Sequence, residues 1–255
     1  MKKFVMTVMM LAMAGICALQ AQTSFSLHAG LASPLGSYAD ATANYDANNA
    51  SNDVLRFGLL DQTKKGGAGI GFNVGAQMNF GITSVKGLSI IVGADFFFNS
   101  INSDISDYVD EYISDVETST HEYSITLPKY MHVPILVGAN YTYDITDKIG
   151  IYGEGALGAN MRFITNFERY DATVTTENIN RIKYDMATTF AFRFGAGIVL
   201  SKRFTIGIGY VNHGSAKVKG TQTSEKNGVS NGSSQKFKGG NISAANLTVN
   251  VGIKF

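Results

Sequence analysis

Tryptophan is absent from this 255-residue chain, proline occurs three times and cysteine once. A lone Cys17 forms no intrachain disulfide, so the fold has no covalent framework to lean on. Charge is also scarce, with 16% charged residues and 21 basic against 20 acidic side chains. A near-neutral chain gives no support to nucleic-acid binding. Good helical stretches are few beyond the first twenty residues, and that scarcity argues against an all-α or α/β class. Glycine is plentiful instead, with 28 copies, alongside 16 Phe and 12 Tyr. Those residues sit in alternating apolar and small or polar patterns, which predicts an all-β protein.

The first segment reads differently. Met1-Lys2-Lys3 is a positive start, residues 4–19 are apolar and uncharged, and Leu19-Gln20-Ala21 ends on a small residue. This is the pattern of a secretory signal peptide over residues 1–21, with the mature domain spanning 22–255. The apolar run is short for a membrane-anchoring helix. A lipoprotein signal needs a small residue before the cysteine, and Ile16 stands there. Cleavage after Ala21 removes Cys17, Lys2 and Lys3, leaving 19 basic residues against 20 acidic ones.

Eight strands are expected in the remainder: residues 24–32, 69–80, 88–99, 122–143, 149–163, 185–200, 204–213 and 241–255. The last is the plainest. Leu247, Val249, Val251, Ile253 and Phe255 share one face, while Thr248, Asn250, Gly252 and Lys254 share the other. The connections alternate long and short, as in an antiparallel up-and-down transmembrane β-barrel with both termini at the short-turn, periplasmic end. An even number of strands closes the sheet and leaves no edge in hydrocarbon. One face carries the large apolar residues and the other carries Gly, Ala, Ser and Asn with a few charges. An eight-stranded lumen is narrow, so the small face must point inward. Aromatics near the strand ends predict two interfacial girdles. Pro128 and Pro134 break the pattern within the fourth segment, because proline donates nothing to a ladder. Pro128 is expected above the membrane, and Pro134 at a bulge or a locally broken ladder.

On these residues the chain resembles the eight-stranded outer-membrane barrels, similar in architecture to OmpX and the OmpA transmembrane domain. It looks closer to the outer-membrane β-barrel-domain proteins called PorT-like or porin family. The resemblance is carried by the strand and Pro-x-Gly opening at 24–36, by Met131-His132-Val133-Pro134-Ile135-Leu136-Val137, by Ile151-Tyr152-Gly153-Glu154-Gly155 and by the terminal Phe255. It implies a Gram-negative cell outer membrane location, contact with outer-membrane lipid and lipopolysaccharide, and insertion by the barrel-assembly machinery reading Phe255. No cofactor and no metal are implied.

Inward positions carry His28, Asp95, His132, Glu154, Arg193 and Lys254. Asp95, Glu154 and Arg193 are expected at similar mid-barrel height, with Glu154 and Arg193 paired. The blander reading is a plug of mutually neutralised charges, and the sharper one is a proton or ion path. His213-Gly214-Ser215 is similar to the His-x-Ser of lipid A deacylase barrels, but its His is expected inward, away from lipid. The acidic stretch around Asp104 to Glu117 has helical spacing, with Ser103 as the expected N-cap, and lacks the spacing of an EF-hand loop. Lys217, Lys219, Lys226, Lys236 and Lys238 make the last long loop basic, free to answer the acidic loop or touch anionic lipopolysaccharide. The sequence therefore predicts a non-enzymatic outer-membrane barrel of structural or surface-interaction role, its long loops meeting an extracellular partner. A narrow pore, a lipid A-type hydrolase and a soluble lipocalin-like carrier are the alternatives.

Overall fold

The computed structural model describes residues 23–44, 54–230 and 234–255. The expected signal peptide lies outside them. In chain order the elements are β1 (Thr23–Pro34), a 3-10 turn (Gly36–Tyr38), β2 (Thr42–Asn44), β3 (Val54–Arg56), β4 (Ala68–Gly81) and β5 (Leu88–Ile101). Helix α1 (Ser103–Val116), β6 (His121–Thr126), β7 (Tyr130–Asp144), β8 (Ile149–Ile164), β9 (Phe167–Thr173) and β10 (Glu177–Tyr184) follow. The chain ends with β11 (Ala187–Leu200), β12 (Phe204–Lys226), β13 (Val229–Ser230) and β14 (Gln235–Lys254).

Antiparallel pairing runs from β1 to β4, β5, β7, β8, β11, β12 and β14, and β14 pairs back onto β1. The sheet closes on itself, so these strands have no free edge. The closing seam runs from Ser26 opposite Lys254 to Pro34 opposite Asn246. At its end Phe25 and Phe255 exchange two backbone hydrogen bonds, of 2.7 and 3.2 Å, and their rings lie 6.4 Å apart.

Among the described residues the sheet holds twelve strands, and the expected count of eight misses part of it. Beyond the long-loop end β12 pairs β10, β10 pairs β9 and β9 pairs β6. Two features of the sequence explain the difference. Residues 164–184 look like a polar loop, yet they form the β9–β10 hairpin, whose alternation is polar on both faces. The fourth expected strand, 122–143, is two strands interrupted around Pro128, and β6 leaves the ring to pair with β9. Likewise β12 runs on to Lys226 past its expected stop at His213, through a bulge at Asn212 and Gly214. Gly214 sits there at φ +80°, where an L side chain is strained and a Cβ would meet the Phe190 carbonyl at 2.3 Å.

Pro134 stays in register opposite Asn160 on β8. On its other side the β5–β7 pairing skips from Ala94–Ile135 to Phe97–His132 with the register unchanged. The missing amide thus costs a local break and no bulge. Helix α1 forms where expected, but its N-cap is Asn102, whose side chain accepts from the Asp104 amide at 2.7 Å.

Outward positions are apolar and open: Leu31 is 64% exposed, Phe190 and Ile208 62%, and Val251 61%. A packed core instead fills the long-loop end. Tyr38, Phe57 and Leu59 from the first connection meet Ile105 of α1, Tyr130, Ile182, Tyr184, Val218 and Ile242 there. The Tyr130 hydroxyl donates to the Gly66 carbonyl at 2.5 Å, and the Tyr184 hydroxyl to the Leu59 carbonyl at 3.0 Å. Burial pushes the Tyr184 phenol up, so it remains the donor. These bonds fasten the first connection across the barrel mouth.

Candidate functional site

The inward face of the ring builds two polar layers. In the middle layer Arg193 on β11 is central. Its Nη1 lies 2.9 Å from Asp95 Oδ2, its Nη2 donates to Gln77 Oε1 at 2.5 Å, and its Nε is 3.1 Å from Glu154 Oε1. The last contact has ion-pair distance without hydrogen-bond direction, since Nε has no aligned acceptor. His28 Nε2 lies 2.5 Å from Asp95 Oδ1. An ionised carboxylate only accepts, so the imidazole donates. Gln77 also donates to Asn79 Oδ1 at 3.0 Å, and Asn79 reaches Ser26 Oγ at 3.4 Å.

Local sequence explains this geometry. Period-two alternation turns Asp95, Glu154 and Arg193 inward, and the diagonal register of β8 against β11 puts Glu154 opposite Gly195, two residues from Arg193. Glycine makes the room. A Cβ on Gly75 would stand 2.1 Å from Asp95 Oδ1 and 2.5 Å from His28 Nε2. Asp95 and Arg193 are buried, so their charges must be matched within the layer.

The upper layer lies nearer the mouth. His132 and His213 stack at 4.3 Å, with Phe97 edge-on to His213 at 4.6 Å. Tyr38 approaches His132 Nε2 at 3.1 Å, and Asn160 approaches His132 Nδ1 at 3.2 Å. Asn246 lies 3.0 Å from His213 Nε2 and donates to Asn99 Oδ1 at 3.2 Å. Arg162 caps the layer by donating to the Ile242 and Ala216 carbonyls at 3.2 and 2.9 Å.

The sequence groups His28, Asp95, His132, Glu154 and Arg193 as one lumen charge network, and the structure brings four of the five together. His132 belongs to the upper layer instead. Alternation turns Gln77, Asn160 and Arg162 inward, but the sequence does not single them out, nor Asn99 and Asn246, as members of a polar layer. Tyr38 is missed for another reason: it arrives from a connection, where alternation says nothing. His213 and Ser215 do not meet as a base and nucleophile, because His213 is buried in the upper layer while Ser215 is exposed and donates to Asn241 Oδ1 at 3.1 Å. Among the described residues no group of three or more His, Cys, Asp or Glu is placed to hold a metal ion.

Below the middle layer lies a cavity of about 90 Å³, lined by Ser26, Asn140, Tyr152, Glu154, Asn250 and Lys254 among others. It lies on the short-turn side of the charged layer, as a vestibule with the two polar layers above it.

These features define a closed β-barrel with an apolar outer belt, a charged interior and a packed mouth. No family model matches the chain, and no curated protein does. Solved structures similar to it include OprG, an outer membrane protein of Pseudomonas aeruginosa, at 10% identity over 93% of this chain and 98% of that one, TM-score 0.42. A major outer membrane protein of Thermus thermophilus is similar at 11% identity over 91% of this chain and 99% of that one, TM-score 0.42. Ail, the attachment invasion locus protein of Yersinia pestis, is similar at 11% identity over 93% and 100%, TM-score 0.33. Likeness at this level assigns no function.

Proposed function

We propose that the chain is an integral outer-membrane β-barrel with a sealed lumen, non-enzymatic, whose surface beyond the long-loop end is its working part. The observation that carries this is the inversion of a soluble barrel. Phe190, Phe194, Ile208, Leu157, Val251 and Leu31 point out and are exposed, while Asp95, Arg193, His132 and Asn160 point in and are buried. Exposed apolar patches of this extent on a closed sheet are stable only against another apolar phase. Water would make the belt an aggregation surface, which also counts against a soluble carrier.

A pore for small solutes is the second reading, supported by the vestibule at the short-turn end. The packed mouth and charged middle layer argue against through-conduction. Fractionation of cells producing the full-length protein tests the proposal. The chain is expected with outer membranes after alkaline washing, and an unboiled sample should shift on a gel. Recovery in the soluble periplasmic fraction would overturn the reading.

A further inference from the structure

The vestibule on the short-turn side keeps polar atoms that the barrel itself does not use. Lys254, at the end of β14, lines the cavity opposite Ser26 and is half-buried. Among the described residues no carboxylate lies within ion-pair distance of its ammonium. Asp144, exposed at the rim, acts on it only at longer range. Among the described residues the Tyr152 and Thr205 hydroxyls in the lining make no hydrogen bond, and Asn140 uses only its Oδ1, accepting from Thr142 at 3.0 Å. Asn250 Oδ1 is buried and has no donor. Glu154 accepts a single long hydrogen bond, of 3.5 Å from Gln77, beside its ion pair with Arg193. Open polar atoms in a cavity wall call for water or a ligand to meet them.

Glycines keep the space free. A Cβ on Gly207 would strike the Tyr152 hydroxyl, and one on Gly252 would stand 2.6 Å from Thr205 Oγ1. The cavity of about 90 Å³ has room for a ligand of about four to six heavy atoms. Its open atoms divide along the strands. Lys254 and Thr205 stand at strand ends, with Tyr152 a little further in, and all three donate. Glu154 and Asn250 Oδ1 stand deeper, against the charged layer, and accept.

That division selects the ligand. The layer above sets two carboxylates, Asp95 and Glu154, against the guanidinium of Arg193. A simple anion drawn to Lys254 would be repelled by Glu154, and a simple cation drawn to Glu154 would be repelled by Lys254. A doubly charged oxyanion such as phosphate would find one free cation for two charges. A molecule bearing both signs satisfies both ends. We propose that the vestibule is a binding site for a small zwitterion, a free amino acid no larger than glycine or β-alanine. Its carboxylate lies on Lys254, Tyr152 and Thr205, and its ammonium points to Glu154 and Asn250 Oδ1. The ligand enters and leaves at the short-turn end, so binding needs no passage through the barrel.

The test uses the full mature chain, labelled with nitrogen-15, in non-ionic detergent micelles and titrated with glycine and with β-alanine. The side-chain amide signals of Asn140 and Asn250 are expected to shift with saturation, while those of Asn99 and Asn246 in the upper layer stay in place. Acetate and methylammonium, which each carry half of the zwitterion, should bind at least about tenfold more weakly, because a hydrogen bond to a charged group is worth roughly a decade or more of affinity. Lys254→Gln should weaken zwitterion binding by about the same factor, and Lys86→Gln, in a short turn at the same end, should leave it unchanged. The unboiled gel shift reports folding of each variant, and the comparison of ligands on the native protein needs no variant. No saturable shift with either amino acid overturns the proposal. So does acetate or phosphate binding as tightly as the zwitterion, equal affinity in Lys254→Gln, or equal shifts at all four asparagines.

Discussion

At the scale of single residues, Arg193 decides whether the lumen is tolerable. It is buried between Asp95 and Glu154, and its guanidinium answers both carboxylates. Taking one partner from a buried ion cluster leaves the others uncompensated, at about 3–5 kcal/mol. Arg193→Ala should therefore lower barrel stability by about that amount, read as the urea midpoint of unfolding in lipid vesicles. Adding Glu154→Gln should restore part of the loss. Adding Asp95→Asn should restore more, because the Asp95 side chain is 2% exposed and that of Glu154 13%, so its orphaned charge is the costlier. Equal loss in the single and double variants would show that the three residues do not act as a unit. Much of this cluster is legible in the alternation, which fixes facing. Gln77 and Tyr38 are not, because a neutral amide on a strand and a tyrosine in a loop carry no distinguishing signal.

At the scale of elements, the terminal strand shows what patterning reads well. Leu247 to Phe255 alternates strictly, Val249 and Val251 lie outward, and Thr248 is buried inward as its parity requires. The seam it closes ends on Phe255, which exchanges two backbone hydrogen bonds with Phe25 and stacks on its ring. Deleting Phe255 removes both bonds and the ring contact at the last point of closure. The expected result is slower or incomplete insertion into lipid vesicles, measured as the folded fraction on unboiled gels over time; unchanged kinetics would detach the residue from assembly. The elements that escape the sequence share one physical feature. In the β9–β10 hairpin and the outer part of β12, polar residues occupy both faces, so no hydrophobic period marks a strand. Their register comes from pairing with neighbours, which a single sequence does not display. Pro128 does mark the break between β6 and β7, because it interrupts the ladder where the chain leaves the ring.

At the scale of the whole molecule, side chains cross the barrel interior at three levels in series. The middle layer holds Arg193, Asp95, Glu154 and His28 across the lumen, the upper layer holds His132, His213 and Asn160, and the mouth holds Phe57, Leu59, Tyr38 and Tyr184 in a packed core. An eight-membered ring leaves an interior that side chains fill, and on the sealed-lumen proposal any one of these layers is expected to block ions. The native protein in planar bilayers is then expected to give no steady openings. Arg193→Ala with Asp95→Ala should stay closed, because the mouth remains packed. Phe57→Ser with Leu59→Ser should also stay closed, because the charged layer remains. Combining all four substitutions with His132→Ala and His213→Ala should produce small openings, with gel shift confirming that the barrel persists. Steady conductance in the native protein would favour the pore. Openings in the Phe57 and Leu59 variant alone would show that both polar layers pass ions, and that Arg193 and its carboxylates line a path normally shut from above.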